Sequence, residues 1–466
     1  MKKKILLINP PSSLKAYSKS KIKAAIPEIP LLSLAVLAAP LLDARHDVQI
    51  LNLAISSQPD KDLEEKLKEF RPDIVGITFT TPLFAEASLI AAEIKKFDSK
   101  IVVAGGGAHA TTAPDDCIKD NNFDIMAIGE SDFMLVDLAN GMHLKDIKGI
   151  YWREHGKIVK NAPRTLIADL DDLPMPAWQL YGDLSIYKTP RITSKMNPVG
   201  ALETSRGCPF NCTYCNKKIF TQKFRYKSVK RTVDEMEYML GLGFKEIHIW
   251  EDQFTTDLEH AKNVCREILR RGLKFPWNLF TGIRVNCVDK EFLELAKKAG
   301  CYSVSYGVES GDESILKNIN KGITLAQCRK AFRMAKEAGM ETIGFFMLAL
   351  PGETEETMMK TIKFAVELDP DYAKFTMTLP FPGTRLYEDL EKAGKIKTHD
   401  WSLYNFHCTT EVYDHPNLSW DVIQKYYDLS YRMFYFRPKY IARRLIRGVK
   451  TGEIFTDAYY FIKTWL

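Results

Sequence analysis

Short apolar runs alternate with amphipathic helical patterns over the first 140 residues of this chain. The apolar runs that predict strands cover residues 4–8, 48–52, 74–79, 101–104 and 125–128. Helical patterns lie between them, at residues 32–42, 62–70 and 85–97. Strands that alternate with helices form a parallel sheet with helices on both faces. The pattern therefore predicts an α/β domain over residues 1–140, with a flavodoxin-like (Rossmann-type) doubly wound parallel sheet.

A second alternating region covers residues 199–390. Strands are predicted at residues 201–204, 246–250, 277–284, 302–308, 341–349 and 374–379, and helical patterns follow them. Six such units predict a partial (β/α)6 barrel, whose functional residues would lie at the C-terminal ends of the strands.

The two remaining regions lack this alternation. Residues 141–198 contain a hairpin-like stretch at 149–159 and several prolines, which predict a linker. Residues 391–466 are aromatic and basic, and we expect a mainly helical tail that caps the open edge of the barrel. A basic, aromatic helix can also lie on a membrane surface or guide a lipid-like or anionic substrate.

The composition is typical of a globular protein with more than one domain. The chain has 466 residues, of which 45% are hydrophobic and 27% charged, and its net charge is +6. This length favours two or three domains, and so small a positive charge does not favour nucleic acid as a partner. The sequence has no apolar run of the ~18 residues that a membrane span needs, and the few apolar residues after MKKK are too short for a signal peptide. We therefore expect a cytoplasmic protein.

Three of the nine cysteines lie together in the stretch SRGCPFNCTYCNKK. Cys208, Cys212 and Cys215 have the spacing C-x3-C-x2-C and follow a predicted strand. A [4Fe–4S] cluster usually takes four cysteine thiolates, so three would leave one iron open to an exogenous ligand, as in catalytic metal sites. A chance cluster or half of a zinc site is the alternative. Zinc would need a fourth ligand nearby, and the nearest histidine in sequence, His248, lies in a predicted strand.

This cysteine pattern resembles that of the radical S-adenosylmethionine (SAM) superfamily. The resemblance implies that Cys208, Cys212 and Cys215 are catalytic and hold a cluster whose open iron binds the amino and carboxylate groups of SAM. One electron from the cluster would cleave SAM to methionine and a 5′-deoxyadenosyl radical. Tyr214 would pack on the adenine ring.

Later motifs follow the order expected of the same family. WEDQFTTD, at residues 250–257, resembles the acidic motif that holds the methionine amino group, here through Glu251 or Asp252. The alternative is a helix N-cap by Asp252 or Asp257. YGVESGDES resembles a motif in which Glu309 binds the ribose hydroxyls, because a carboxylate suits a vicinal diol, and Ser310 turns the chain.

Two more motifs lie in the fifth and sixth units of the barrel. FFMLALPGETEET resembles the motif that lays backbone, here at Leu350 and Pro351, against adenine, and Glu353 or Thr354 would start the next helix. LPFPGTRLY, at residues 379–387, resembles a motif common in the cobalamin-associated branch of the superfamily.

The N-terminal domain resembles the cobalamin-binding domain that precedes many radical SAM barrels, in segments such as KIVVAGGGAHATTAPDD and FDIMAIGESD. Doubly wound sheets bind ligands beyond the C-terminal ends of their strands, where glycines let backbone approach a bulky ligand. The resemblance implies cobalamin contacts for Thr78, Thr80, Thr81, Gly105, Gly106, Gly107, His109, Gly129 and Glu130. The alternatives are a tight turn for the glycines and a packing role for His109. Typical cobalamin enzymes carry D-x-H-x-x-G after the first strand; NPPSSLKAYSKSK lacks the histidine, so we expect no histidine ligand to cobalt.

Together these resemblances imply a cobalamin-dependent radical SAM methyltransferase. The deoxyadenosyl radical would abstract a hydrogen, and methylcobalamin would supply a methyl group to an unactivated carbon or phosphorus centre. The same architecture occurs in the anaerobic cyclase of bacteriochlorophyll synthesis and in ring-contracting enzymes, and a non-catalytic cobalamin or SAM sensor is a third interpretation.

The sequence also gives expectations about partners. We expect a small-molecule, lipid-like or peptide substrate, and peripheral membrane contact is compatible with the basic tail. An external electron donor such as flavodoxin or ferredoxin is expected, because the sequence has no second cysteine cluster for an auxiliary iron–sulfur centre. His407 and Cys408 lie in the loop WSLYNFHCTT, for which we expect a packed loop, with substrate contact as the alternative.

Overall fold

Both predicted α/β units are present in the computed structural model, which describes residues 2–11, 28–406, 410–452 and 455. The strands, β1 to β15, are Lys4–Asn9, Asp47–Asn52, Ile74–Thr78, Val102–Gly106, Ile125–Ala127, Ile150–Glu154, Lys157–Lys160, Val199–Leu202, Ser205–Arg206, Arg225–Tyr226, Glu246–Ile249, Trp277–Ile283, Cys301–Glu309, Glu341–Leu348 and Tyr372–Met377. The α-helices, α1 to α15, are Leu32–Asp43, Pro59–Phe70, Phe84–Phe97, Ala108–Thr112, Pro114–Cys117, Met134–Ala139, Val229–Gly241, Leu258–Arg270, Lys290–Lys298, Glu313–Asn318, Leu325–Glu337, Glu355–Leu368, Arg385–Lys392, Trp420–Tyr435 and Pro438–Thr451.

The first sheet is doubly wound, as predicted. Its strand order is β2-β1-β3-β4-β5-β6-β7, and β1 to β5 pair in parallel. Leu6 and Ile8 of β1 pack in the core on one face, and Ile5 and Leu7 pack in the core on the other, because side chains alternate along a strand. The predicted hairpin, β6 and β7, pairs antiparallel with β5 and extends this sheet. The strand order changes direction at β1, which opens a crevice at the C-terminal ends of β1 and β3.

The second large sheet is the predicted six-stranded partial barrel. Its order is β8-β11-β12-β13-β14-β15, and every pair in it is parallel. Five of the helices that follow these strands begin at a side chain that accepts a backbone N–H: Ser228, Asp257, Asp289, Thr324 and Thr354. Such caps satisfy the free N–H groups of the first helical turn. The helices therefore start cleanly, and the connections from the strands gather at one end of the barrel.

The tail covers the free edge of the barrel sheet, as predicted. Tyr435 Oη lies 3.1 Å from Ala373 N and 2.8 Å from Ala373 O. Tyr431 Oη lies 3.4 Å from Phe375 N and 3.1 Å from Phe375 O. Each hydroxyl thus bonds both backbone groups of one residue of the edge strand β15. A bare edge would leave these groups open to another strand.

Several basic residues of the tail are paired within the protein. Arg437 and Arg443 lie 2.9 Å and 2.8 Å from the carboxylate of Asp369, and Arg447 lies 2.7 Å from that of Glu341. These pairs fasten α15 to the N-terminal ends of β14 and β15. In the ranges that the structure describes, a helix long and apolar enough to cross a membrane is not found.

Candidate active site

The three clustered cysteines lie in the loop between β9 and β10, directly after β8 of the barrel. Gly207 opens this loop with a φ of +85°, and a Cβ there would collide with backbone across the loop, so glycine is required. The Cys208 N–H donates to Thr221 O at 3.3 Å, and the Thr213 N–H donates to Ile319 O at 3.0 Å. These bonds close the loop on itself and fasten it to the end of α10.

The thiols of this loop are shielded from solvent and have a cation beside them. Cys212 is only 9% exposed, and Cys208 and Cys215 are half-buried. Arg284 Nη1 lies 3.8 Å from Cys212 Sγ. Burial raises the pKa of the Cys215 thiol to about 11, so its thiolate form depends on a nearby positive charge or a bound metal.

The donor set fits an iron–sulfur cluster better than a single zinc ion. Among the described residues, no three His, Cys, Asp or Glu side chains are close enough to hold one metal ion. A [4Fe–4S] cluster binds each cysteine through a different iron, so its ligands stand further apart. His248, the sequence candidate for a fourth zinc ligand, is fully buried in β11 with Nε2 2.8 Å from Glu246 Oε1. A zinc half-site therefore does not match this arrangement.

Glu251 and Asp252, the two acidic residues considered for the amino group of SAM, have different surroundings after β11. Both carboxylate oxygens of Glu251 are used: Oε2 accepts the Thr204 and Ser205 N–H groups at 2.5 and 3.0 Å, and Oε1 accepts the Ser205 hydroxyl at 2.7 Å. Glu251 thus fixes the chain just before the cluster loop, and burial raises its pKa to about 7. Asp252 is solvent-exposed, and its carboxylate lies near the Lys217 ammonium. Asp252 is therefore the better candidate for the amino group of SAM.

The alternative role proposed for the WEDQFTTD motif was a helix N-cap, and Asp257 has that role. Asp257 accepts the His260 N–H at 3.0 Å and caps α8. Asp252 is not needed for that purpose.

The predicted adenine and ribose contacts are joined by a lysine that sequence reasoning missed. Lys321 Nζ lies 2.7 Å from Glu309 Oε1 and 3.2 Å from Tyr214 Oη. Glu309 ends β13 with a φ of +68°, which is uncommon outside glycine. Burial holds the pKa of Tyr214 well above its ordinary value. The only sequence signal for Lys321 is its place at the end of YGVESGDESILKNINKG.

Ser310 is buried and serves the turn after β13, as expected. Its Oγ lies 3.2 Å from Thr361 Oγ1, which also accepts the Gly311 N–H at 2.9 Å. A Cβ on Gly311 would meet the side chain of Phe364 at 2.6 Å, so the turn packs tightly against α12.

The turn after β14, predicted to face adenine, is held from several sides. Glu353 Oε2 accepts the Leu350 N–H at 2.9 Å, and His415 Nε2 lies 3.3 Å from Leu350 O. Burial raises the pKa of Glu353 to about 8. Pro351 is half-buried within the turn, and Thr354 is the residue that caps α12. The backbone predicted to contact adenine is thus fixed by residues of both the barrel and the tail.

A cavity of about 580 Å³ lies at the C-terminal ends of the first sheet. Seven of the nine predicted cobalamin residues line it: Thr78, Thr80, Gly105, Gly106, Gly107, Gly129 and Glu130. Among the described residues that line this cavity, none is a histidine. The prediction that no histidine binds cobalt was made from the stretch after β1, and residues 12–21 of that stretch lie outside the described residues.

Two glycines that line this cavity are packed closely against other parts of the first domain. Gly107 has a φ of +99°, and a Cβ there would lie 2.9 Å from Phe79 O and from Thr78 Oγ1. A Cβ on Gly105 would lie 2.7 Å from Met126 Sδ. Neither position has space for a side chain, and because the lining residues here are glycines, backbone forms this part of the wall and a wide, flat ligand can approach it closely. These features fit cobalamin.

Three of the predicted cobalamin residues have other surroundings than expected. Thr81 and His109 are buried and do not line the cavity. His109 packs 4.9 Å from the Trp401 ring and 5.4 Å from the Phe84 ring, and burial lowers its pKa to about 4. Its role is packing, the alternative considered above. Glu130 lines the cavity, but its carboxylate is held by Arg225, with Oε2 3.0 Å from Nη1.

The cobalamin-type cavity and the cluster loop share a wall. Arg206, Phe220 and Trp250 of the barrel line the cavity, and Arg206 lies just before the loop. Arg206 donates to both carboxylate oxygens of Asp132, at 3.0 and 2.9 Å, and to Glu203 at 2.7 Å. Sequence reasoning missed this buried network, which joins the two domains.

The structure does not describe the two loop residues that were considered for substrate contact. His407 and Cys408 lie outside the described residues.

Comparison with known proteins matches both domains. The Radical SAM superfamily model matches residues 202–365, and the B12 binding domain model matches residues 25–139. An uncharacterized methyltransferase of Pyrococcus horikoshii is 34% identical over 465 residues, covering 96% of this chain and 98% of that protein. The cytidylyl-2-hydroxyethylphosphonate methyltransferase of Streptomyces wedmorensis is 30% identical over 478 residues, covering 90% of this chain and 87% of that protein.

A solved structure has the same fold. The radical S-adenosylmethionine methyltransferase TsrM from Kitasatospora setae, with cobalamin and a [4Fe–4S] cluster bound, matches with a TM-score of 0.69 and 22% identity, covering 85% of this chain and 76% of that one. With relatives that match along nearly their whole length, and with both domain models in the expected order, the chain belongs to the radical SAM superfamily, in the branch that carries a B12 binding domain.

Proposed function

We propose that this protein is a cobalamin-dependent radical SAM methyltransferase that methylates an unactivated carbon or phosphorus centre of a small molecule. The observation that carries this proposal is the wall shared by the two cofactor sites. Arg206 lines the cavity of the first domain and lies two residues before Cys208. A substrate between them would face both cofactors at once.

Each cofactor has a fitting set of residues. Cys208, Cys212 and Cys215 would hold the cluster. Asp252, Glu309 and the backbone at Leu350 and Pro351 would hold SAM. The wall formed by Thr78, Thr80, Gly105, Gly106, Gly107 and Gly129 would hold cobalamin. When bound, the cluster and SAM supply a radical that abstracts hydrogen, and cobalamin supplies the methyl group.

The protein's own contribution is positioning and the exclusion of water. The ring of Trp250, on the cavity wall, stacks 5.4 Å from Phe280, which stacks 5.1 Å from His248 inside the barrel. These stacked rings fill the space between the cavity wall and the barrel interior. A packed floor of this kind would keep water away from a reactive substrate.

The test is anaerobic reconstitution with iron, sulfide and hydroxocobalamin, followed by product analysis with SAM and a strong reductant. About four irons and one cobalt per chain, with both 5′-deoxyadenosine and S-adenosylhomocysteine formed, would support the proposal. Deoxyadenosine without S-adenosylhomocysteine would favour the cyclase or rearrangement alternative. Binding of both cofactors without any SAM cleavage would favour a sensor.

A matched pair of variants makes the test specific. Changing Cys208, Cys212 and Cys215 together to Ala should abolish iron binding and SAM cleavage. Cys328→Ala removes a buried cysteine on α11, outside the loop, and should leave both intact. Equal loss in the two proteins would contradict the assignment of the loop.

We also propose that the electron comes from an external donor of the flavodoxin or ferredoxin type and that the enzyme works in the cytoplasm. The single cysteine cluster in the sequence supports the external donor, because the sequence has no second cluster for an auxiliary iron–sulfur centre. Reduction of the reconstituted cluster by flavodoxin in place of the chemical reductant is the corresponding measurement.

A further inference from the structure

The interior of the barrel contains a cation without a partner. Lys374, on β15, lines a cavity of about 140 Å³ enclosed by the barrel strands and the segment 191–195. Its Nζ lies 5.1 Å from the centre of the Phe280 ring and 5.4 Å from that of Phe345. Among the described residues, neither a carboxylate nor a hydrogen-bond acceptor pairs with it, and burial alone lowers its pKa to about 8. Two aromatic faces only partly replace the water that this ammonium has lost.

Two of the three other cations that line the cavity have partners, and the third, Arg191, is solvent-exposed. Lys195 Nζ lies 3.7 Å from Glu341 Oε1, and Arg447 lies 2.7 Å from the same oxygen. Among the described residues that line the cavity, Glu341 has the one carboxylate, and two cations already share it. It does not compensate Lys374.

Two buried polar atoms on the same cavity are also without partners. Asn278 is 4% exposed and Ser305 is 1% exposed, and both line the cavity. Asn278 Oδ1 and Ser305 Oγ have no hydrogen-bond partner in the described part of the chain, whereas Asn278 Nδ2 donates to Tyr302 Oη at 2.7 Å. Buried polar atoms are almost always satisfied. A cation, an acceptor and a hydroxyl left open around one cavity indicate a polar ligand.

We propose that this cavity is a separate binding site for a small organic acid and that the Lys374 ammonium pairs with the anionic oxygen group of that acid, either a carboxylate or a phosphoryl group. The cavity lies toward the N-terminal ends of β13, β14 and β15, where Tyr302, Glu341 and Tyr372 line it. Its ligand is therefore distinct from the substrate, which would lie between the two cofactor sites at the other end of the strands. The cavity has room for a single ring, because apolar cavities of about 150 Å³ accept benzene. Phe280 and Phe345 supply its apolar walls, and Lys374 supplies the charge that selects an acid over a neutral analogue.

The experiment measures binding by equilibrium dialysis of three labelled probes of one size: benzoate, phenylphosphonate and neutral benzamide. The proteins are the reconstituted wild type, Lys374→Met and Lys195→Met. Lys374→Met keeps an unbranched side chain without charge. Lys195→Met removes a cation of the same cavity that is already paired.

The expected result is saturable binding of at least one acid, weakened about tenfold or more by Lys374→Met, as for loss of one charge-assisted bond. Benzamide binding should change less than twofold, and Lys195→Met should leave all three probes within about twofold of wild type. A preference for benzoate or for phenylphosphonate then distinguishes a carboxylate from a phosphoryl group. The proposal is overturned if no acid binds, if benzamide binds as tightly as the acids, or if both variants weaken the acids equally.

The same preparations separate this inference from the proposed function. Each protein is also assayed for 5′-deoxyadenosine formed from SAM without substrate. Loss of acid binding in Lys374→Met with normal SAM cleavage supports the lysine's role. Acid binding without SAM cleavage in the wild type would leave the anion site standing and remove the proposed function.

Discussion

Arg206 of the barrel donates to both carboxylate oxygens of Asp132 of the first domain, at 3.0 and 2.9 Å, and both side chains are almost fully buried. The pair lies at the base of the cluster loop and on the wall of the cobalamin-type cavity. Beside it, Arg225 binds Glu130. Through these contacts, the position of the first domain is tied to the loop that would hold the iron–sulfur cluster.

Removing one partner of this pair should be costly. Arg206→Met leaves Asp132 buried without its cation, and we expect a loss of about 3–5 kcal/mol in the free energy of unfolding. The measurement is urea denaturation of the full chain. Lys160→Met, which removes an ion pair with Asp115 at the surface, is the control and should cost about 1 kcal/mol or less. Similar losses in the two variants would contradict the structural role of Arg206.

Glu353 should make stability depend on pH. Burial raises the pKa of Glu353 from its ordinary value of 4.5 to about 8 in the folded protein. Folding therefore favours the neutral form, and this stabilisation is present below pH 4.5 and is lost as pH rises through 8. Glu353→Gln keeps an acceptor for the Leu350 N–H without the charge.

Between pH 5 and 8, the wild type should therefore lose stability relative to Glu353→Gln, by an amount on the order of 4 kcal/mol. Urea denaturation at several pH values measures the difference. Glu337→Gln, at an exposed position on α11, should follow the wild type. Parallel pH curves for wild type and Glu353→Gln would show that Glu353 is ionised in the folded state.

The tyrosines on the edge strand should protect it. Tyr431→Phe and Tyr435→Phe each leave the N–H and C=O of one residue of β15 without a partner. We expect losses of about 1–3 kcal/mol for each and faster hydrogen exchange at Phe375 and Ala373, respectively. Tyr238→Phe is the control, because the Tyr238 hydroxyl donates to Gln179 at the surface. Its free energy of unfolding should stay within about 0.5 kcal/mol of wild type. Unchanged exchange in both edge variants would argue against this protection.

The two acidic residues after β11 should differ in their effect on SAM binding. Asp252→Asn should weaken SAM affinity of the reconstituted protein about tenfold or more, because a charge-assisted bond to the amino group is lost. Glu251→Gln should change it less than threefold, since both oxygens of Glu251 bond the protein. Equilibrium dialysis with labelled SAM measures both. The reverse order would assign the amino group to Glu251.

Gly107 should be required for cobalamin. Gly107→Ala places a methyl group against Phe79 O and Thr78 Oγ1 on the cavity wall. We expect the cobalt content after reconstitution to fall at least severalfold.

Gly141→Ala is the matched control for this substitution. Gly141 also has a positive φ, of +81°, but among the described residues no atom lies within 4 Å of the position that its Cβ would take. It carries the same kind of backbone strain away from the cavity and should retain cobalt. If the two variants lose cobalt equally, backbone strain alone explains the effect.

Local sequence patterns were sufficient for the secondary structure and the order of the domains. Residues 5–8 alternate between two hydrophobic cores because successive side chains of a strand point to opposite faces of the sheet. Cys208, Cys212 and Cys215 lie close together because they belong to one loop. These features depend on neighbouring residues, so the sequence alone determined the parallel strands of both domains and the candidate cluster loop.

The roles of individual polar residues were decided by tertiary contacts. The sequence left Glu251 and Asp252 open, and only the position of Thr204 and Ser205 shows which carboxylate is already used. The pair of Arg206 and Asp132 joins residues from two domains. In the described part of the chain, packing brings two aromatic rings and no carboxylate to the Lys374 ammonium. Such pairings depend on which distant segments meet in the fold, and a local pattern carries no information about that.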